Sequence, residues 1–214
     1  MFTELGEVTM SNIIVYHGST EKVEHPICAL GRPNLDFGQG FFVTNLREQA
    51  LLWANHISKS RNKPALLNRY LLNKEAILKE AKCKIFDAYN EEWLAFIVGN
   101  RSGQNLAHQF DYVEGGVAND RVIDTINLYI AGLIDLQTAL RELSRHQPNN
   151  QICLLCQDLV NKYLIYDGTE ELLFPHKVAH NTRNYYEQQD WGHHRPTLQE
   201  IKHPQCSGLK TILQ

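Results

Sequence analysis

The chain has no apolar run approaching the roughly 18 residues a membrane-crossing helix needs. It has no surplus of basic charge either: 21 Lys and Arg stand against 24 Asp and Glu, giving a net charge of -3 and a pI near 6.4. That balance leaves no broad electrostatic footprint for nucleic acid or anionic membrane, although a local basic patch stays open. Five cysteines, an odd and scattered set, do not form a disulfide framework. No Walker loop, G-x-G-x-x-G or G-x-S-x-G occurs, so the common phosphate-cradling and nucleophile-elbow chemistries are not signalled. The opening residues "MFTELGEVTM" carry acids and lack a basic region followed by an apolar one, so no secretory leader is expected. These absences point to a cytoplasmic protein with no membrane partner.

What is present is enough for a core: 43% of the 214 residues are hydrophobic. "NIIVYHGS" (12–19) and "GFFVT" (40–44) read as strands. "NLREQALLWANHISKS" reads as a helix capped by Asn45 with Glu48, burying Ala50, Trp53, Ala54 and Ile57. Short strands are expected in "LLNRYLLN", "KCKIFD", "FDYVEGGV", "QICLLC" and "LIYDG". Helices are expected in "NEEWLAFIVGNR" behind Asn90, in "NDRVIDTINLYIAG" with Val122, Ile126, Tyr129 and Leu133 inward, in "DLQTALRELSRH" behind Asp135, and in "DLVNKYL". Strands and helices mix without a regular β-α-β alternation, which predicts an α+β fold. From Phe174 onward the chain carries five of its ten histidines and few aliphatic residues. The expected division is a domain over 11–174 and a polar, His-rich tail over 175–214.

Three local patterns bear on chemistry. Cys153 and Cys156 form a lone C-x-x-C without a second ligand pair, so two core cysteines are expected. His193, His194 and His203 in the tail have no metal-site spacing. The stretch "YHGS" (16–19) ends an apolar strand with a histidine, a glycine and a hydroxyl. It fits a ligand approaching the main chain at Gly18, and it fits a turn with a satisfied histidine equally well. "FGQGFFVT" (37–44) packs three rings and two glycines into eight positions. Alternate rings on a strand face opposite ways, so one of Phe41 and Phe42 fits the core and the other fits a flat stacking surface. A hairpin corner with two core rings is the competing reading.

Together "YHGS", "DFGQGFFVT" followed by "QALLWA", "NR" at Asn100–Arg101, "FDYVEGGVAND" and "NNQICL" resemble a bacterial uncharacterised domain family counted within the ADP-ribosyltransferase superfamily. The resemblance runs from about Ile14 to Asp167. Its His-Gly-Ser and F-G-x-G-F-[YF]-x-T strands resemble the diphtheria-toxin and poly-ADP-ribose-polymerase branch, which uses a His–Tyr–Glu triad on NAD. The resemblance implies a split β-sheet core with peripheral helices. It places His17 on the adenosine ribose, Gly18 and Ser19 on the nicotinamide amide, Phe42 under the nicotinamide ring with Thr44 on the same strand, and Gln151 at the third motif position. Phe42 keeps the motif ring without its hydroxyl. Gln151 keeps an amide that can bond a ribose hydroxyl but supplies no negative charge. Asp36, Asp111 and Asp120 are candidates for that charge, and Arg101 or Arg32 for the pyrophosphate.

The function so implied is mono-ADP-ribosyl transfer from NAD, as substrate, to a macromolecular acceptor, by a bacterial toxin or effector with a neutralising antitoxin protein. NAD hydrolysis is an alternative. A non-catalytic NAD or nucleotide sensor, or an interaction module, is another. Nicotinamide leaves as a neutral molecule, so the protein must order NAD and steady the cationic ribose rather than supply an acid.

Overall fold

The computed structural model describes residues 12–116, 120–146 and 149–172, with the side chains of 120 and 121 excepted. In chain order the elements are β1 (Ile13–Ser19), β2 (Phe41–Val43), α1 (Arg47–Arg61), β3 (Ala65–Leu72), α2 (Lys74–Glu80), β4 (Cys83–Ile85), α3 (Glu91–Arg101), β5 (Tyr112–Gly115), α4 (Asp120–Ile130), α5 (Leu136–Leu143), β6 (Gln151–Leu154), α6 (Gln157–Tyr163) and β7 (Leu164–Leu172). The fold is α+β, with two sheets and six α-helices among the described residues. One sheet is antiparallel in the order β1-β3-β7; the other runs β2-β6-β5-β4, with only β4 and β5 parallel.

Strand pleating sorts the side chains of the larger sheet into two cores. Phe42, Cys153 and Val113 are cross-strand partners, so they share one face. They pack with Phe37, Trp93, Ile97, Ile126 and Leu143 under α3, α4 and α5. Phe41, Ile152, Leu154 and Tyr112 occupy the other face and meet Val15, Tyr70 and Leu72 of the smaller sheet. Cys153 is a buried core residue, as expected; Cys156 stands at the start of α6 and packs against the second core.

Caps behave as expected at Asn90 and Asp135, whose side chains accept from the Trp93 and Thr138 amides. Elsewhere the expectations need correction. Asn45 does not cap α1; the position before the helix is Leu46, without a side-chain bond, and Asn45 instead accepts from Asn150. Trp53 and Leu133, expected inward, are 39% and 71% exposed, and Ser58 completes the buried stripe of Ala50 and Ala54. The helix α2 was not foreseen, although Asn73 caps it by accepting from the Ala76 amide. The last strand does not stop at Gly168: that glycine (φ +125°) sits at a bulge beside Arg69, after which pairing with β3 resumes to Leu172. The expected tail, with His193, His194 and His203, lies outside the described residues.

The glycines of "FGQG" have packing duties. Gly38 has φ +80°, a left-handed conformation open to glycine at little cost. A Cβ on Gly40 would lie 2.5 Å from Leu154 O and 2.6 Å from Cys153 Sγ. Phe37 is a fully buried core ring, and Gln39 donates to Ala29 O and Gly31 O at 2.8 and 2.9 Å. The stretch therefore wedges β2 against β6. Gly40→Ala is expected to cost ~1–3 kcal/mol of stability by overpacking, whereas Gly103→Ala, with open space around it but φ +82°, should cost about 1 kcal/mol. Urea unfolding of the two variants tests the ranking.

Candidate functional site

The two sheets meet at β1 and β2. Tyr16 N–H donates to Thr44 O at 2.7 Å and Thr44 N–H to Tyr16 O at 2.9 Å. The next antiparallel pair in that register would be Gly18 with Phe42. Instead His17 Nδ1 lies 2.8 Å from Phe42 O, and its ring packs on Phe41 at 4.7 Å between centroids. The imidazole thus sits where the strands part. A carbonyl only accepts, so Nδ1 carries the proton and the neutral ring keeps Nε2 as an acceptor. Burial pulls the His17 pKa below its ordinary 6.5, opposed by the bond to Phe42, so the ring is neutral at pH 7.

Backbone alternation decides what else faces this split. Tyr16 turns its N–H and C=O toward β2, so Gly18, two residues on, turns its own away from β3 and into the gap. The α-carbon of Gly18 is pressed on α1, where a Cβ would lie 2.2 Å from Ala50 O. Ser19 is buried, and its hydroxyl accepts from the Glu21 amide at 3.1 Å. Behind β1, Asn68 is fully buried and ties His17 O, Glu21 O, the Val23 amide and the Thr169 hydroxyl together.

Phe42 and Gln151 share a face of the larger sheet. Phe42 pairs with Cys153, and Gln151 stands two residues before it, a diagonal neighbour at about 7–8 Å. Phe42 is half-buried against the α3–α5 core, and Gln151 is half-exposed at the start of β6 opposite Gly115. Its side chain makes no hydrogen bond to another described residue. Thr44 is 5% exposed, and its hydroxyl donates to Asn150 O at 2.6 Å while accepting from the Leu46 amide. It fastens β2 to β6, so a ligand would meet its neighbours.

Arg101 is likewise occupied. Its Nε lies 2.5 Å from Asp36 Oδ1, and Asn100 donates to Asp36 O and accepts from the Ala107 amide. This pair anchors the loop into β2, which also removes Asp36 as a free carboxylate. Arg32 is exposed. Asp111 accepts from the Lys82 amide at the opposite end of β5 from Gly115 and Gln151. The Asp120 side chain lies outside the described residues.

Two features of this region escaped the sequence reading. Glu114 is 6% exposed and accepts from Tyr112 Oη at 2.6 Å, Lys74 Nζ at 2.8 Å and Asn150 Nδ2 at 3.0 Å. Asn150 Nδ2 also donates to Asn45 at 2.9 Å. The residue immediately before Gln151 is thereby fixed to β5 and to the end of β2. The signal was a lone Glu inside the strand "YVEG", because a carboxylate rarely enters a strand core without a partner. The second feature is Gln49 Oε1, a buried acceptor with no partner among the described residues. It lies on α1 beside Ala50, whose carbonyl touches Gly18. An unpaired buried acceptor is costly.

A family model described as "Protein of unknown function (DUF3990)" matches residues 13–166. The chain belongs to this family. The match begins at β1 and ends within β7, so it takes in His17, Gly18, Ser19, Phe42, Thr44, Arg101 and Gln151. No match was found among curated proteins or among solved structures.

Two outcomes test this geometry. Because the folded state resists protonating His17 while the unfolded chain titrates near 6.5, the unfolded state binds more protons below that value. Stability should therefore fall as pH drops through 6.5 toward the lower folded pKa. Denaturant midpoints at pH 7.5 and 5 should lie closer together in His17→Gln than in the parent. Separately, Glu114→Gln should cost ~1.5–3 kcal/mol in urea unfolding, since bonds to a charged acceptor are lost and Lys74 loses its counter-charge.

Proposed function

We propose that the DUF3990 domain binds NAD across the split between its sheets and acts as a mono-ADP-ribosyltransferase, breaking the nicotinamide–ribose bond and passing ADP-ribose to a macromolecular acceptor. The fold in this reading is an ADP-ribosyltransferase-like split core. One observation carries it: His17 Nδ1 meets the Phe42 carbonyl where the β1–β2 pairing stops, so the buried main chain of Gly18 is left without a β2 partner.

The chemistry follows from the groups present. Gly18 offers an N–H and a C=O side by side, the complement of a carboxamide such as that of nicotinamide. Neutral His17 Nε2 accepts from a ribose hydroxyl. Phe42 offers a ring face for a flat heterocycle, and Gln151 an amide for the second ribose. As the glycosidic bond breaks, positive charge grows at C1′ of that ribose and the electron pair leaves with nicotinamide. The domain's contribution is order: a bound pose with the ribose carbon turned to its acceptor. The role as a bacterial toxin held by a neutralising protein belongs to the same proposal.

A second reading, an NAD-binding sensor, has one observation in its favour. Asp36 and Glu114 are held by Arg101 and Lys74, and Gln151 is neutral, so the described site offers no unpaired carboxylate to the cationic ribose.

Thermal shifts with NAD and nicotinamide release separate the readings. Phe42→Tyr should bind NAD as the parent does, and Phe42→Ala roughly tenfold more weakly from lost stacking and burial. Gln151→Ala should still bind NAD but release no nicotinamide. Gln49→Leu should be at least as stable as the parent without NAD, because it removes an orphaned acceptor. NAD bound by the parent without nicotinamide release makes the domain a sensor; no NAD binding at all rejects both readings.

A further inference from the structure

The strands of the larger sheet end together at one rim, where Thr44, Gln151, Gly115 and Phe86 follow one another across the sheet. A cleft of ≈300 Å³ opens there, at the carboxyl ends of the parallel pair β4 and β5, lined among others by Lys74, Phe86, Asp87, Glu114, Asn149 and Asn150. It adjoins Gln151, which pairs with Gly115 of the cleft wall. Yet none of the residues assigned to NAD lines it.

The hydrogen bonds of its wall run inward. Both N–H groups of Asn150 are engaged, one by Glu114 and one by Asn45, so this side chain has only its carbonyl oxygen left to offer. The Lys74 ammonium lies 2.8 and 2.6 Å from the two oxygens of Glu114, and Tyr112 donates its hydroxyl to the same carboxylate. Lys74 and Glu114 neutralise one another. Lys84 is held by Glu92 and covers one face of Phe86 at 5.0 Å from the ring centroid. Asp87 remains, exposed and with no hydrogen bond or ion pair to another described residue. Its carboxylate leaves the described lining of the cleft one net negative charge. The described wall therefore presents the Asp87 carboxylate and the Asn150 oxygen as acceptors, with the Asn149 amide as its other uncharged polar side chain.

We infer that this cleft is a subsite for a cationic nitrogen donor, a guanidinium or ammonium group. A planar guanidinium has enough donors to serve both a carboxylate and an amide oxygen. The inference goes beyond the NAD reading and does not depend on it. If that reading holds, the cleft places a basic side chain of the acceptor next to Gln151, on the far side of β6 from Phe42.

The test is titration of the full chain with agmatine in the absence of NAD, followed by calorimetry and by amide shifts of Gly115 and Gly116. Saturable binding is expected, roughly fivefold weaker in Asp87→Asn, because the partner lost is an exposed charge. Binding should be unchanged in Asp158→Asn, which removes an exposed carboxylate in the first turn of α6. An arginine-containing peptide is the second arm: tighter binding than agmatine assigns the cation to a protein side chain, and equal binding to a free amine. Absence of saturable agmatine binding, equal binding by Asp87→Asn, or binding of inorganic phosphate by the parent at this cleft would each overturn the inference. NAD takes no part in these titrations, so their failure leaves the transferase reading to its own test.

Discussion

Two main-chain hydrogen bonds between Tyr16 and Thr44 form the seam between the sheets. On one side of the seam the sheets share a core of Val15, Phe41, Tyr70 and Ile152. On the other they part, because the His17 ring takes the carbonyl that a continued ladder would have given to Gly18. A ladder two residues longer would leave one closed sheet and no gap. A seam absent altogether would leave β1 free to slide against β2. The position of the candidate site is thus set by where pairing stops, and one side chain stops it.

Such a seam needs both strands held from behind, and the structure supplies this differently for each. Behind β1, α1 lies so close that only glycine fits at 18, and buried Asn68 gathers the turn that follows. Behind β2, Gly40 admits β6, Thr44 fastens to Asn150, and Asp36 ties the incoming loop to Arg101. Each attachment is polar or sterically exact where an apolar contact would tolerate sliding. A register slip of one residue would exchange Phe41 with Phe42 and turn each ring toward the other's core.

Much of this was legible in the sequence. Local signals survived because local physics decides them: Asn90 and Asp135 cap as their type predicts, and Val122 and Ile126 fall inward at helical spacing. The motif residues His17, Gly18 and Phe42 do come together. What could not be read were uses that depend on partners distant in the chain. Asn45 looked like a cap and is a strand-end tie to Asn150. Arg101 and Asp36 looked like free charges and hold each other across 65 positions. Glu114 drew no attention because Lys74 and Asn150, which make its burial tolerable, are 40 and 36 positions away. Gly168 looked like a terminus and is a bulge, because β3 continues opposite it.

The close fit of Gly18 against the Ala50 carbonyl has a bearing on descent. In any chain that shares this fold, whatever its function, His17, Gly18, Thr44 and Asn150 would be kept, since each carries part of the architecture. Their persistence in a sister chain is a record of shared shape. Gln151, whose side chain bonds no other described residue, is under no such duty. Drift at that one position would leave the seam and both cores as they are.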